Sequence, residues 1–149
     1  MSLFFQTIYI ASDHAGFDLK SKVLQHFKDL PLVDLGCPNK ERVDYPDYAH
    51  KLVQKIALEP SDSATFKSMG ILICGSGQGV AMAANKEAHI RAALCWNKES
   101  AELSRLHNNA NILCLGERLI EEKTALEIID VFFKTQFEGG RHADRVKKI

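Results

Sequence analysis

Neither sign of charge is in excess in this chain. Its 149 residues carry 19 lysines and arginines against 19 aspartates and glutamates, so no long-range field draws it toward nucleic acid or an anionic membrane. Any anion it binds has to be held by a local cluster. No uninterrupted apolar run approaches the length of a membrane span, which leaves no expected membrane partner. The opening residues, MSLFFQTIYIASD, have neither the basic lead nor the small-residue cleavage site of a secretory leader, and a cytoplasmic location is expected. Cysteine is sparse, and Cys37, Cys74, Cys95 and Cys114 fall at neither Cys-x-x-Cys nor zinc-ligand spacing. Three of them sit at or near the ends of apolar strand-like runs, where buried reduced thiols rather than disulfides are expected. Repeats, low-complexity tracts and linkers are also missing. What remains is one domain over residues 1–149, large enough to bury about two-thirds of the surface its unfolded form exposes.

Short apolar runs with strand character recur at 7–12, 32–36, 70–74, 92–96 and 111–116. They are continuous rather than alternating, as suits strands covered on both faces. Between them lie segments of helical periodicity at 16–30, 45–58, 79–89, 98–108 and 121–137. Strand then helix, about five times over, predicts an α/β fold: a Rossmann-like three-layer sandwich with a mostly parallel sheet of about five strands and a C-terminal helix or tail. The polar stretch Glu59 to Ser68 reads as an extended loop ahead of the third strand. In such open sheets ligands bind outside the carboxyl ends of the strands. Those ends are the places to search.

The first strand runs into Asp13 and His14, and the third into Cys74 followed by Gly75, Ser76, Gly77 and Gly79. Glycines where a strand becomes a helix leave consecutive N–H groups facing a concavity, a nest for an anion or a developing oxyanion. The loop is neither a dinucleotide fingerprint nor a Walker loop nor a nucleophile elbow, since the required glycine, Gly-Lys-Ser/Thr ending and flanking glycine are missing. Taken alone it is equally a tight turn, and a strand-end cysteine such as Cys74 is more often a packing residue. Arg141 and Arg145 are four apart, so on a helix they present two guanidinium forks to one oxyanion. A solvated basic tail is the plainer alternative, although Gly139 and Gly140 suggest a hinge that brings the arginines back over the sheet. His107 and Asn108 close a helix just before the fifth strand, where a histidine is often only a cap. Arg118 follows that strand.

Taken together and in order, SDHAG, DYPDYA, ILICGSGQGVAMAANK, IRAALC, SRLHNNANILCLGER and FEGGRHADRV resemble the RpiB/LacAB family of sugar-phosphate isomerases over essentially the whole chain. CGSGQG, LHNNAN and GGRHADR in this order are specific as a set, and the longer loop at Glu59 to Ser68 lies outside them. The resemblance implies an aldose-ketose isomerase of carbohydrate metabolism that works through an enediolate without metal or organic cofactor, in a site shared by two subunits of a homodimer or a dimer of dimers. It implies that Cys74 is the base; some relatives use a glutamate just after the glycine loop, where this chain has Val80. By the same resemblance His107 opens the furanose, Asp13 binds hydroxyls and assists proton movement, and Ser76 relays the hydroxyl proton. Tyr45, Asn108 and the glycine loop hold the sugar, while Arg118, Arg141 and Arg145, with His14, grip the phosphate.

Ribose 5-phosphate and ribulose 5-phosphate of the pentose phosphate pathway are the expected pair, because one chain carries Cys74, His107 and the paired arginines together. A hexose 6-phosphate isomerase acting on allose or galactose phosphates is the nearest alternative. A non-catalytic sugar-phosphate sensor would need the nest and the arginines but neither Cys74 nor His107. Thiol redox chemistry lacks a second cysteine at the required spacing.

Overall fold

Side chains along a strand alternate in direction, so a strand buried on both faces serves two cores. In the run before the glycine loop, Met69, Ile71 and Ile73 join one buried cluster and Leu72 and Cys74 the other. The computed structural model, which describes residues 3–149, shows the sheet that follows from this. β1 (Phe5–Ser12), β2 (Leu32–Asp34), β3 (Phe66–Cys74), β4 (Ala92–Leu94) and β5 (Ile112–Gly116) are all parallel, in the order β2-β1-β3-β5-β4.

The first cluster is covered by α1 (Phe17–His26), α4 (Lys98–Leu106) and α5 (Glu122–Lys134), and the second by α2 (Tyr45–Val53) and α3 (Gln78–Ala84). In α5, Ala125, Ile128, Ile129, Phe132 and Phe133 repeat at helical spacing and are buried, each large apolar side chain stabilising the fold by about 1.5–3 kcal/mol. α4 starts where Asn97 accepts the Ser100 N–H at 2.8 Å and Ser100 Oγ accepts the Asn97 N–H in return. A short helix, α6 (Arg141–Val146), ends the chain. Among the described residues no helix is long and apolar enough to cross a membrane.

The chain therefore folds as the three-layer parallel α/β domain expected, with shorter helices and two longer strands, β1 starting at Phe5 rather than Thr7. β3 begins at Phe66 rather than Gly70, pairing Phe66 with Phe5 and Ser68 with Thr7. Exposed Lys67 between buried Phe66 and Ser68 gives that part a one-faced alternation that a search for continuous apolar runs passes over. The loop is shorter by those three residues.

β1 leads into α1 on one face and β3 into α3 on the other. Adjacent strands whose following chains diverge to opposite faces open a crevice between their carboxyl ends. That crevice lies between Ser12 and Cys74.

Among the described residues, the buried charges of Lys20, Arg91 and Arg105 were not legible in the sequence. Lys20 Nζ donates to both Asp34 oxygens, at 2.7 and 2.8 Å, and to the Cys37 carbonyl at 2.9 Å. Arg105 is 1 % exposed; it donates to Asn109 Oδ1, the Ala110 carbonyl and the Thr135 carbonyl, and its guanidinium lies 5.1–5.7 Å from the Phe4, Phe66 and Phe132 rings. Burial, and then neighbouring Arg91, pull its pKa down to about 9, so it stays charged at neutral pH. Arg105→Ala would leave three acceptors without a donor and a void among three rings. It is expected to lower unfolding free energy by about 3–5 kcal/mol, read from the urea midpoint, and Arg105→Lys recovers little because an ammonium cannot reproduce the planar fork.

Candidate active site

The crevice between β1 and β3 collects most of the candidate residues. Asp13 is buried, its amide donating to the Ile73 carbonyl at 3.3 Å, and its carboxylate caps the following 3-10 turn by accepting the Gly16 N–H at 3.1 Å. His14 Nδ1 accepts the Val43 N–H at 3.2 Å, which leaves the ring proton of the neutral imidazole on Nε2. At the end of β3, Cys74 Sγ accepts the Gly77 N–H at 3.1 Å. A donated amide stabilises negative charge on sulfur. Gly77 makes the bond possible because its φ of 75° is a left-handed conformation that other residues adopt only with strain.

The loop after β5 runs against this one: Glu117 N–H donates to the Cys74 carbonyl and Arg118 N–H to the Gly75 carbonyl, both at 3.0 Å. The Arg118 guanidinium consequently lies over Gly75, where a Cβ would stand 3.0 Å from it. Tyr45, at the start of α2, covers Gly79 so closely that a Cβ there would lie 2.6 Å from the ring. Ser76 is half-buried, its hydroxyl accepting the Gln78 N–H at 3.3 Å. Beneath them, Glu117 Oε1 accepts the Leu19 N–H at 2.5 Å and ties α1 to the loop carrying Arg118; burial pushes this carboxyl above the usual range, against that hydrogen bond.

The other three cysteines differ. Burial pushes the Cys95 thiol up to about 11 and the fully enclosed Cys114 thiol well above the usual range, while the Cys37 thiol donates to the Asn39 carbonyl at 3.2 Å. All four are free.

The remaining four candidates, His107, Asn108, Arg141 and Arg145, lie at the opposite edge of the sheet. His107 and Asn108 follow α4 and precede β5, and they sit below the strand starts. In register, Gly70 faces Ile112 and Cys74 faces Gly116, so the sheet alone separates the two groups by about 13 Å, four residues at 3.3 Å each. α6 belongs to the same edge: Glu138 N–H donates to the Leu106 carbonyl at 3.1 Å, and Lys147 pairs at 2.9 Å with Asp62 in the loop ahead of β3. Gly139 and Gly140, with φ of 71° and 56°, do form a turn, but it carries Arg141 and Arg145 beneath the strand starts, not over the carboxyl-end crevice. The hinge expected to bring the arginines back over the sheet is thus a turn that leaves them at its amino-end edge. Both arginines are exposed and share the outer face of α6, whose inner residues His142 and Val146 are buried.

Sequence reading missed Glu138 and His142. Their rings and carboxylate gather on His107, with the two imidazoles stacked 4.1 Å apart and Glu138 Oε2 within 3.3–3.7 Å of both Nε2 atoms. The signal was a Glu and a His four apart, but the intervening Gly-Gly breaks the helical periodicity that would have given that spacing a meaning.

Residues 8–149 match the family Ribose/Galactose Isomerase (LacAB/rpiB). The chain is 41 % identical to ribose-5-phosphate isomerase B of Escherichia coli over 144 residues, covering 95 % of this chain and 93 % of that one. It superposes on the structure of ribose 5-phosphate isomerase B from Anaplasma phagocytophilum with a TM-score of 0.89 at 42 % identity, over 99 % of both chains. With ribose-5-phosphate isomerase B from Mycoplasma genitalium, solved with bound ribulose-5-phosphate, the TM-score is 0.87 at 42 % identity, over 99 % of this chain and 95 % of that one.

Proposed function

The chain belongs to the ribose/galactose isomerase family, and from that premise we propose that it interconverts ribose 5-phosphate and ribulose 5-phosphate, with Cys74 as the base and two subunits supplying each site. The observation that carries this reading is the Cys74 sulfur under the Gly77 amide, in the crevice beside Asp13. His107 donates a proton to the ring oxygen as the bond from that oxygen to C1 breaks, and the anomeric hydroxyl gives up its proton to restore the donor, leaving the open-chain aldehyde. The Cys74 thiolate then takes the proton from C2, and the electron pair moves into a C1–C2 double bond, leaving the enediolate. Amides of the glycine loop stabilise the developing oxygen charge, and Ser76 relays the hydroxyl proton between the two oxygens. Return of the proton from sulfur to C1 completes the ketose, and the thiolate is regenerated.

Asp13, Tyr45 and Asn108 hold the hydroxyls, while Arg118, Arg141, Arg145 and His14 grip the phosphate. Every step has a protein group, so the reading assigns neither a metal nor an organic cofactor. The separation of the two half-sites supports a homodimer in which the crevice of one protomer meets the His107 and α6 edge of its partner, with exposed Trp96 and Leu119, which follow β4 and β5, offering apolar surface at the carboxyl-end edge of the sheet. Such an enzyme serves the pentose phosphate pathway in the cytoplasm.

The direct test is turnover of ribose, allose and galactose phosphates by the purified protein with chelator present. Fastest turnover of ribose 5-phosphate is expected, and preference for a hexose 6-phosphate would overturn the substrate assignment. Arg141→Ala and Arg145→Ala are each expected to raise KM far more than they lower kcat, by about 1.5–3 kcal/mol for a lost charge-assisted contact. Unchanged KM in both would return α6 to the role of a solvated tail.

A further inference from the structure

The rings of His107 and His142 lie face to face, centroids 4.1 Å apart and planes 13° apart. Glu138 Oε2 stands 3.7 Å from His107 Nε2 and 3.3 Å from His142 Nε2. Backbone contacts fix this meeting: the Glu138 amide is bound to the Leu106 carbonyl, next to His107, and the His142 amide to the Gly139 carbonyl, both at 3.1 Å. His142 is buried, whereas His107 is 39 % exposed, so the first ring forms a floor on which the second rests.

We propose that Glu138 and His142 are positioning residues for His107: the buried imidazole supports its ring, and the carboxylate favours the one added proton that the stacked pair takes up and holds it where ring opening needs it. This deepens the proposed function and rests on its assignment of His107. Two imidazolium rings in van der Waals contact would repel, and Arg141 and Arg145 on α6 add positive charge to the same place. Burial, then His107, Arg141 and Arg145, hold His142 below the usual histidine range, and Glu138 works against them. The remaining charges nearby are Arg105, buried two residues before His107 and held by carbonyls and Asn109, Asp144 on α6, and Lys147, which is paired with Asp62. Among the described residues Glu138 is therefore the one anion set against both rings. Two histidines and a glutamate are also a donor set for zinc, but nearly parallel rings aim their nitrogens side by side rather than at one point, unlike a tetrahedral site.

The test compares two reactions. Turnover of cyclic ribose 5-phosphate needs ring opening, whereas exchange of solvent deuterium into acyclic ribulose 5-phosphate needs only the Cys74 chemistry. In E138Q the alkaline limb of kcat/KM for ribose 5-phosphate is expected to move down by roughly half a pH unit or more, because the lost anion no longer favours the protonated pair. The exchange profile stays at the wild-type position. H142A is expected to lose at least tenfold in ribose 5-phosphate turnover with exchange spared, and H142F, which restores a flat ring but no proton, to recover most of it. Superimposable wild-type and E138Q profiles would overturn the proposal, as would equal loss of both reactions in H142A. Loss of wild-type activity on adding chelator would also overturn it, by assigning the trio to a metal. His107→Ala with wild-type ribose 5-phosphate turnover would instead remove the ring-opening assignment beneath it.

Discussion

Cys74→Ala is expected to lower turnover by roughly a hundredfold or more, the scale of a lost general base, with fold and phosphate affinity nearly intact. The sulfur accepts a single amide hydrogen bond and packs beneath the glycine loop, so its removal deletes one atom and strands no buried charge. Cys74→Ser is expected to be almost as slow, because a hydroxyl of similar size ionises far less readily than a thiol. The measurement that isolates the base is exchange of the substrate C2 proton with solvent deuterium at saturating substrate. Wild-type exchange in Cys74→Ala would make Cys74 a packing residue. Asp13, in the same crevice, would then be the next base to test.

Mixing two inactive variants is expected to restore activity. Cys74→Ala damages the crevice and His107→Ala the opposite edge, and within one chain these are separated by at least the length of β3 from Gly70 to Cys74. If each site joins the crevice of one protomer to the edge of its partner, a mixed dimer carries one site with both residues intact and one with both replaced. Random reassociation makes half the dimers mixed, so about a quarter of wild-type sites should reappear. Ribose 5-phosphate turnover, measured after unfolding and refolding the variants together, gives the count. A mixture no more active than its components would show that each chain completes its own site, contrary to the proposed arrangement.

Most of the fold was legible because it rests on local repetition. Continuous apolar runs marked strands buried on two faces, and the spacing from Ala125 to Phe133 marked the inner stripe of α5. Where periodicity was mixed, as at Phe66 to Ser68, the strand was missed. Buried charges left no trace: nothing in the neighbourhood of Arg105 along the chain announces that Phe4, Phe66 and Phe132 will surround it.

The candidate site divides the same way. Asp13 and Cys74 are strand-end residues, and a parallel sheet sends the ends of neighbouring strands to one rim, so their proximity followed from the sequence once the sheet was recognised. The same rule already implied that His107, which precedes a strand, belongs to the other edge. The position of α6 was not available in this way. Its arginines are set by the turn at Gly139 and Gly140, by the Glu138 amide on the Leu106 carbonyl and by Lys147 on Asp62, contacts between segments far apart in the chain. By itself the sequence determined the elements, the sheet and which residues stand at the carboxyl-end crevice, because these depend on residue type and on spacing within one element. Tertiary structure alone decided that the arginines and the Glu138–His142 pair gather at His107 on the opposite edge, because loop paths and long-range hydrogen bonds have no periodic signature.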